Sequence, residues 1–324
     1  IEYRKPRPFE AGVGASFTGA SAFVGSSNEK YSQLHGFRYK NAAFILGTLQ
    51  TQAEYNPNFF DYQTYITYKP HTDVELSFLG NISQNTYSFI PETRSTTFGS
   101  LNDIQNFTIY FDGQEKDVFR TFFGALSAKY QVNDKLNLGL TVSSFYTDER
   151  VNYDIEGEYW LNKVSSMDGS DSQQTGVGNY YEHARNTMSS VVAKVSHDGV
   201  YNFNENNDLK WGLEYVYERV NEHVNEWELR DSSGYSIPYT PDVNLYYKLT
   251  ANNFLAESKL RAYIQDTYRW HLNKGGMISF TGGVRMNYWT FNNEFTVSPR
   301  VVIAYFPDIK PDIRFRFATG LYYQ

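Results

Sequence analysis

Apolar and polar residues alternate along much of this chain with a period of two. Between Met277 and Phe291, Ile278, Phe280, Val284, Met286 and Tyr288 share one parity, while Ser279, Thr281, Arg285 and Asn287 share the other. Successive side chains of a strand point to opposite faces, so such a segment is an apolar wall backed by a polar, partly charged one. Asp312 to Gln324 repeats the pattern, with Ile313, Phe315, Phe317 and Leu321 against Arg314 and Arg316. Leu136, Leu138, Leu140 and Val142 form another apolar set, as do Val74, Leu76 and Phe78. Leu260, Ala262 and Ile264 are backed by Lys259, Arg261, Gln265 and Thr267. A soluble sandwich turns its apolar face inward, whereas a membrane barrel turns it outward to lipid.

Twelve strands are expected, at Phe9–Gly25, Lys30–Lys40, Phe59–Lys69, Asp73–Tyr87, Val118–Val132, Lys135–Glu149, His183–His197, Leu209–Glu228, Phe254–His271, Gly276–Phe291, Glu294–Phe306 and Asp312–Gln324. Most exceed the roughly 9 to 11 residues that cross a bilayer. Tyr68–Asp73, Gln131–Lys135, His271–Gly276 and Pro307–Asp312 carry the Pro, Gly, Asn and Asp of tight turns, and Ser26–Lys30 and Ser196–Asp208 read as two more. Between them lie longer connections, Ser83–Asp117, Val151–Glu182 and Arg230–Asn252, with a shorter one at Asn41–Asn58 that holds a small helix at Ala43–Leu49. Short and long connections alternate, so they gather at opposite ends of an up-and-down array, as in outer-membrane barrels.

Composition narrows the choice. Aromatics make up 18% of the 324 residues, with 28 Tyr and 24 Phe. Tyr68, Tyr130, Tyr268, Trp270, Tyr305 and Phe306 precede short turns, and Tyr146, Tyr288, Trp289 and Tyr323 lie toward the long connections. Two such belts are what membrane interfaces select. No apolar run approaches the length of a membrane helix, and the mean hydropathy of −0.54 suits a barrel with a polar interior. Lys and Arg number 29 against 36 Asp and Glu, which argues against a nucleic-acid partner, and the absence of Cys fits an envelope protein that needs no disulfides. The chain starts at Ile1 and stops within a strand pattern, so a mature segment or a fragment is expected.

Few residues suggest chemistry. Six scattered histidines lack metal-ligand spacing, and neither a phosphate loop nor a nucleophile elbow occurs. No cofactor or metal is expected. Glu156 and Glu158 flank Gly157 and would face one way in an extended chain, as an acid and base pair might, although solvated loop charge is the reading that common exposed acids favour. Tyr153, Glu156, Glu158, Tyr159 and Trp160, with Tyr235, Tyr239, Tyr246 and Tyr247 of the next long connection, are the candidate ligand-binding residues, because rings offer stacking surface and carboxylates offer directional hydrogen bonds. Lys259, Arg261, Arg285, Arg314 and Arg316 are assigned to the lumen, since facing lipid they would cost about 2–4 kcal/mol each near the midplane.

Several phrases resemble the barrel of Bacteroidetes TonB-dependent outer-membrane receptors. They are Phe89–Arg94 with Phe98 and Gly99, Phe111–Glu115, Phe122–Leu126, Tyr153–Ile155 with Tyr159–Leu161, Ser298–Arg300 and Arg316–Gln324. The resemblance implies a barrel of about 22 strands closed by an N-terminal plug and driven by a TonB complex. This chain shows neither plug nor TonB box and ends without the usual terminal aromatic. It is therefore expected to be a barrel segment over residues 1–324, all-β, antiparallel and up-and-down, with the plug, the TonB complex, outer-membrane lipid, a surface lipoprotein and a small solute, glycan or peptide as partners. Uptake of a nutrient solute, without enzymatic activity, is the expected function. The alternatives are an outer-membrane structural or assembly protein, a secreted β-rich carbohydrate-binding protein, and an enzyme using Glu156 and Glu158.

Overall fold

The structure, a computed structural model, describes residues 5–47, 53–100, 103–164, 171–231, 243–273, 275–310 and 313–323, with backbone only for 171–177. Its chain order is β1 (Phe9–Ser16), β2 (Gly19–Ser27), β3 (Tyr31–Asn41), α1 (Ala43–Leu46), β4 (Ala53–Tyr55), β5 (Asn58–His71), β6 (Val74–Pro91), β7 (Arg94–Ser100) and β8 (Asp103–Gln131). There follow β9 (Leu136–Val164), β10 (Asp171–Asn204), β11 (Asn207–Asp231), β12 (Asn244–His271), β13 (Met277–Trp289), β14 (Glu294–Phe306) and β15 (Phe315–Gly320). All fifteen strands belong to one antiparallel sheet in the order β1-β2-β3-β5-β6-β8-β9-β10-β11-β12-β13-β14-β15, with β4 beside β6 and β7 beside β8 off this path. Among the described residues β1 pairs only with β2 and β15 only with β14, so the sheet has two edges.

The up-and-down order puts the connections after β2, β5, β8, β10, β12 and β14 at one end of the sheet, as the turn chemistry predicts. At this end Asn28 Oδ1 accepts from the backbone N–H of Lys30 and Tyr31 at 2.9 and 2.7 Å, and Asn133 Oδ1 does the same for Lys135 and Leu136. These are side-chain mimics of a backbone turn.

Two expectations change. Phe9–Gly25 is not one strand but the β1–β2 hairpin, which reverses at Phe17–Thr18 and leaves Gly19 at φ +149°, a conformation open to glycine. The stretches read as long loops are largely strand: β8, β9 and β10 run 29, 29 and 34 residues, so the sheet continues well past the apolar segment. There the alternation persists with its faces exchanged: Phe107, Ile109 and Phe111 of β8 and Tyr153, Ile155, Tyr159 and Leu161 of β9 have the parity opposite to Leu126 and Val142 lower on the same strands.

Register carries the two-faced character across the sheet. Phe78, Leu126, Val142 and Val195 are successive partners on β6, β8, β9 and β10, and Leu213, Ala262, Met286 and Val297 continue one face from β11 to β14. That face is uncovered: Leu126 is 62% exposed and Ile264 51%. Among the described residues the buried hydrophobics are only Ala53, Ile155, Ala184 and Val216. The accessible surface of 21250 Å² compares with about 14,000 Å² for a globular monomer of 37.5 kDa. Among the described residues no second layer covers the apolar face, so packing against a facing sheet does not hold this fold together. Continuous hydrogen-bond ladders and cross-strand pairs do, including Ser127–Thr141 at 2.9 Å and Thr267–Thr281 at 3.1 Å on the polar face.

Candidate functional site

The polar face carries the chemistry. On β10–β12, Lys194 and Arg261 both bind the carboxylate of Glu214, the arginine donating from Nη1 to Oε1 at 2.8 Å. One step along, Lys259 Nζ meets Glu218 Oε2 at 2.8 Å and Glu257 Oε1 at 2.9 Å. Alternation explains the grouping: Glu214, Val216 and Glu218 share a parity on β11, and register sets them opposite Arg261, Lys259 and Glu257 of β12.

Lys259, Arg261 and Arg285 line one cavity of about 410 Å³ with Asn287, Trp289 and Arg300. The Lys259 ammonium lies 5.0 Å from the centre of the Trp289 ring. Lys259 and Arg261 are neutralised by glutamates, but among the described residues neither Arg285 nor Arg300 has a carboxylate partner. Arg300 rests on the Tyr322 ring at 4.6 Å, and its Nε is buried without an acceptor. Two guanidinium groups beside an indole suit an anionic group on a planar body. Arg316 shares this face on β15 through its partner Ala304, while Arg314 lies before β15, 5.8 Å from the Phe306 ring.

A second cluster lies on the same face beyond the apolar band. Glu115 partners Tyr153, Ala184 follows Tyr153 on β10, and Glu226 follows Ala184 on β11. Tyr247 donates to Glu226 Oε2 at 3.5 Å. Burial pushes the Tyr153 phenol up to about 12, helped by the charges of Glu226, Glu182 and Glu115. Burial likewise raises Glu115, with Asp117 beside it adding to the shift, and raises Asp117. Glu182 is raised by burial and then by Glu228. Carboxyl groups crowded this way share protons more readily than they ionise together.

The candidate ligand-binding residues are thus divided. Tyr153 and Tyr159 lie on the polar face and Tyr247 joins Tyr153 there, while Tyr246 stacks on Arg230 at 3.8 Å. Glu156, Glu158 and Trp160 have the opposite parity; both glutamates are exposed and Trp160 packs edge-on to Tyr110. These residues sit in β9 and not in a loop, so strand alternation separates what sequence proximity joined. Tyr235 and Tyr239 lie outside the described residues. The glutamates of the charge ladder and Arg300 went unnoticed in sequence. Arg300 was within reach, because it alternates against Val301 and Ile303; Glu214 and Glu218 needed the register.

No protein-family model matches the chain, and no curated protein does. Similar solved structures include the CymD monoaromatic hydrocarbon channel, at 15% identity and a TM-score of 0.31, covering 96% of this chain and 81% of that one. The Ralstonia pickettii toluene transporter TbuX is 12% identical at a TM-score of 0.28, covering 93% and 75%. The Pseudomonas putida toluene transporter TodX is 12% identical at 0.27, covering 98% and 80%. The resemblance to Bacteroidetes TonB-dependent receptors is corrected by these comparisons: no family model supports it, and the barrels found are hydrocarbon channels and transporters. Its implied strand number, plug and TonB complex are withdrawn with it. The phrases that suggested it lie in strands or at their ends, where any barrel alternates aromatic and polar residues.

Proposed function

We propose that this chain forms the wall of a bacterial outer-membrane β-barrel that passes a small solute along its polar face, without catalysing a reaction. One observation carries the reading. Leu213, Leu260, Ile264 and Met286 stand exposed on one face at the same height as Lys194, Glu214, Arg261 and Arg285 on the other. Only lipid on one side and water on the other suits both faces. From Leu260 to Trp270 the apolar face of β12 spans about 25 Å once strand tilt is allowed for, the height of an outer-membrane hydrophobic band. Asp266 interrupts it near the turn end, where Asn207 Nδ2 donates to its Oδ1 at 3.0 Å.

The unneutralised Arg285 and Arg300 beside Trp289 favour a solute with an anionic group and a planar body. In proteoliposomes containing the full chain, benzoate should enter faster than a neutral sugar, and the double variant Arg285→Ala, Arg300→Ala should lose that preference. Faster entry of toluene than benzoate would favour a hydrocarbon path, and a correctly inserted protein that passes no solute would favour a structural or assembly role.

A further inference from the structure

Above the apolar band the lipid-side face changes character in two tiers. The lower tier is basic: Lys116, Arg120, Arg150, Arg185 and Arg219 share the parity of Phe122, Tyr146, Val191 and Tyr215 on their strands. The acids of that face lie mostly farther from the band, at Asp112, Asp154, Glu156 and Glu158. Five cations against one carboxylate, Asp148, thus stand at the border of the apolar surface. The tier also contains a cavity of about 720 Å³ lined by Asp148, Arg150, Asn152, Arg185, His223 and Asn252.

Charge within the tier is only partly neutralised. Asp148 serves two cations, Arg150 at 3.2 Å and Arg120 at 3.7 Å, and Arg120 Nε also donates to Gln84 Oε1 at 3.0 Å. Arg185 pairs with Asp154, and Arg219 lies over the Phe254 ring at 5.5 Å without a carboxylate among the described residues. Glu222 and Asn253 border the cavity from strands whose parity turns their side chains to the opposite face, where Asn253 Nδ2 donates to Glu222 Oε2 at 2.7 Å.

We infer that this cavity holds the phosphate headgroup of a membrane lipid, with the acyl chains lying on the apolar band below it; the inference rests on the membrane reading proposed above. Guanidinium groups suit phosphate oxygens through paired N–H donors, and His223 with Asn152 and Asn252 adds polar groups around them. A headgroup seated here would continue directly into chains packed on Tyr146, Val191 and Tyr215, whereas a free phosphate would gain nothing from that apolar surface. The position therefore favours a lipid over a soluble anion.

The test uses the full chain in nanodiscs of neutral phosphatidylcholine, with lipid A, phosphatidic acid or inorganic phosphate as probes and native mass spectrometry as the readout. Lipid A or phosphatidic acid should be retained in preference to phosphatidylcholine. Removing two cations at the membrane surface with Arg150→Gln and Arg185→Gln should weaken retention about thirtyfold. Glu156→Gln, in the acidic tier, should leave it unchanged. If the double glutamine variant does not insert, Arg150→Lys with Arg185→Lys should keep the charge, lose paired hydrogen bonding and retain the lipid less well. Equal retention of phosphatidylcholine would overturn the inference while leaving the membrane reading intact. Inorganic phosphate displacing the lipid at equal concentration would overturn it in favour of a soluble anion. A wild-type chain that does not enter nanodiscs at all would overturn the membrane reading itself.

Discussion

Arg261 and Glu214 face each other across β11 and β12 and join through a 2.8 Å hydrogen bond, while Leu260, the next residue, lies 44% exposed on the opposite face. One peptide unit separates a charge that needs water from a side chain that needs lipid.

Substitutions at this height should therefore have very different costs. Leu260→Arg should destabilise the inserted protein by about 2–4 kcal/mol. Glu214→Gln removes a charge shared by Lys194 and Arg261, both partly exposed to water, and should change stability by about 1 kcal/mol or less. Urea unfolding from lipid vesicles measures both. Equal costs would mean that both faces meet the same solvent.

Glu182 should make stability depend on pH. Burial, then Glu228, raises its folded pKa, so the native state holds its proton more tightly than the unfolded chain. That stability is complete below the unfolded value near 4 and is lost as pH rises through the folded one. Glu182→Gln should accordingly stabilise at pH 7 and bring no gain at about pH 3. Equilibrium unfolding at both pH values decides the matter, and a gain that persists in acid would contradict it.

Tyr153 offers a spectroscopic check. With its phenol pushed up to about 12, the native state should lose stability as pH climbs from about 10 toward that value. The difference between wild type and Tyr153→Phe in absorbance at 295 nm should emerge only near the top of this range. A difference centred on pH 10 would place Tyr153 in water.

Gly212 accommodates an aromatic ring from the neighbouring strand. A Cβ there would lie 2.3 Å from Tyr263 Cε1, so the ring occupies the place of a side chain. Gly212→Val should cost about 1–3 kcal/mol by displacing that ring. Tyr263→Ala in the same background should recover part of the loss, as read from the unfolding midpoint.

The amino-acid sequence alone determined the strand period, the tight turns at one end and the side of each strand on which residues such as Lys259 and Arg285 lie, because side-chain alternation is a local property of extended backbone. It failed above the apolar band, where the alternation exchanges faces: Phe107, Ile109 and Phe111, with Tyr153, Ile155, Tyr159 and Leu161, take the parity opposite to the apolar residues lower on β8 and β9, although the ladder between them continues. Tertiary structure decided the register. Register brings Glu214 to Arg261 across 47 residues and Tyr153 to the Glu226–Tyr247 pair. Which strands adjoin, and at what offset, depends on every hairpin between them, so no single stretch of sequence encodes it.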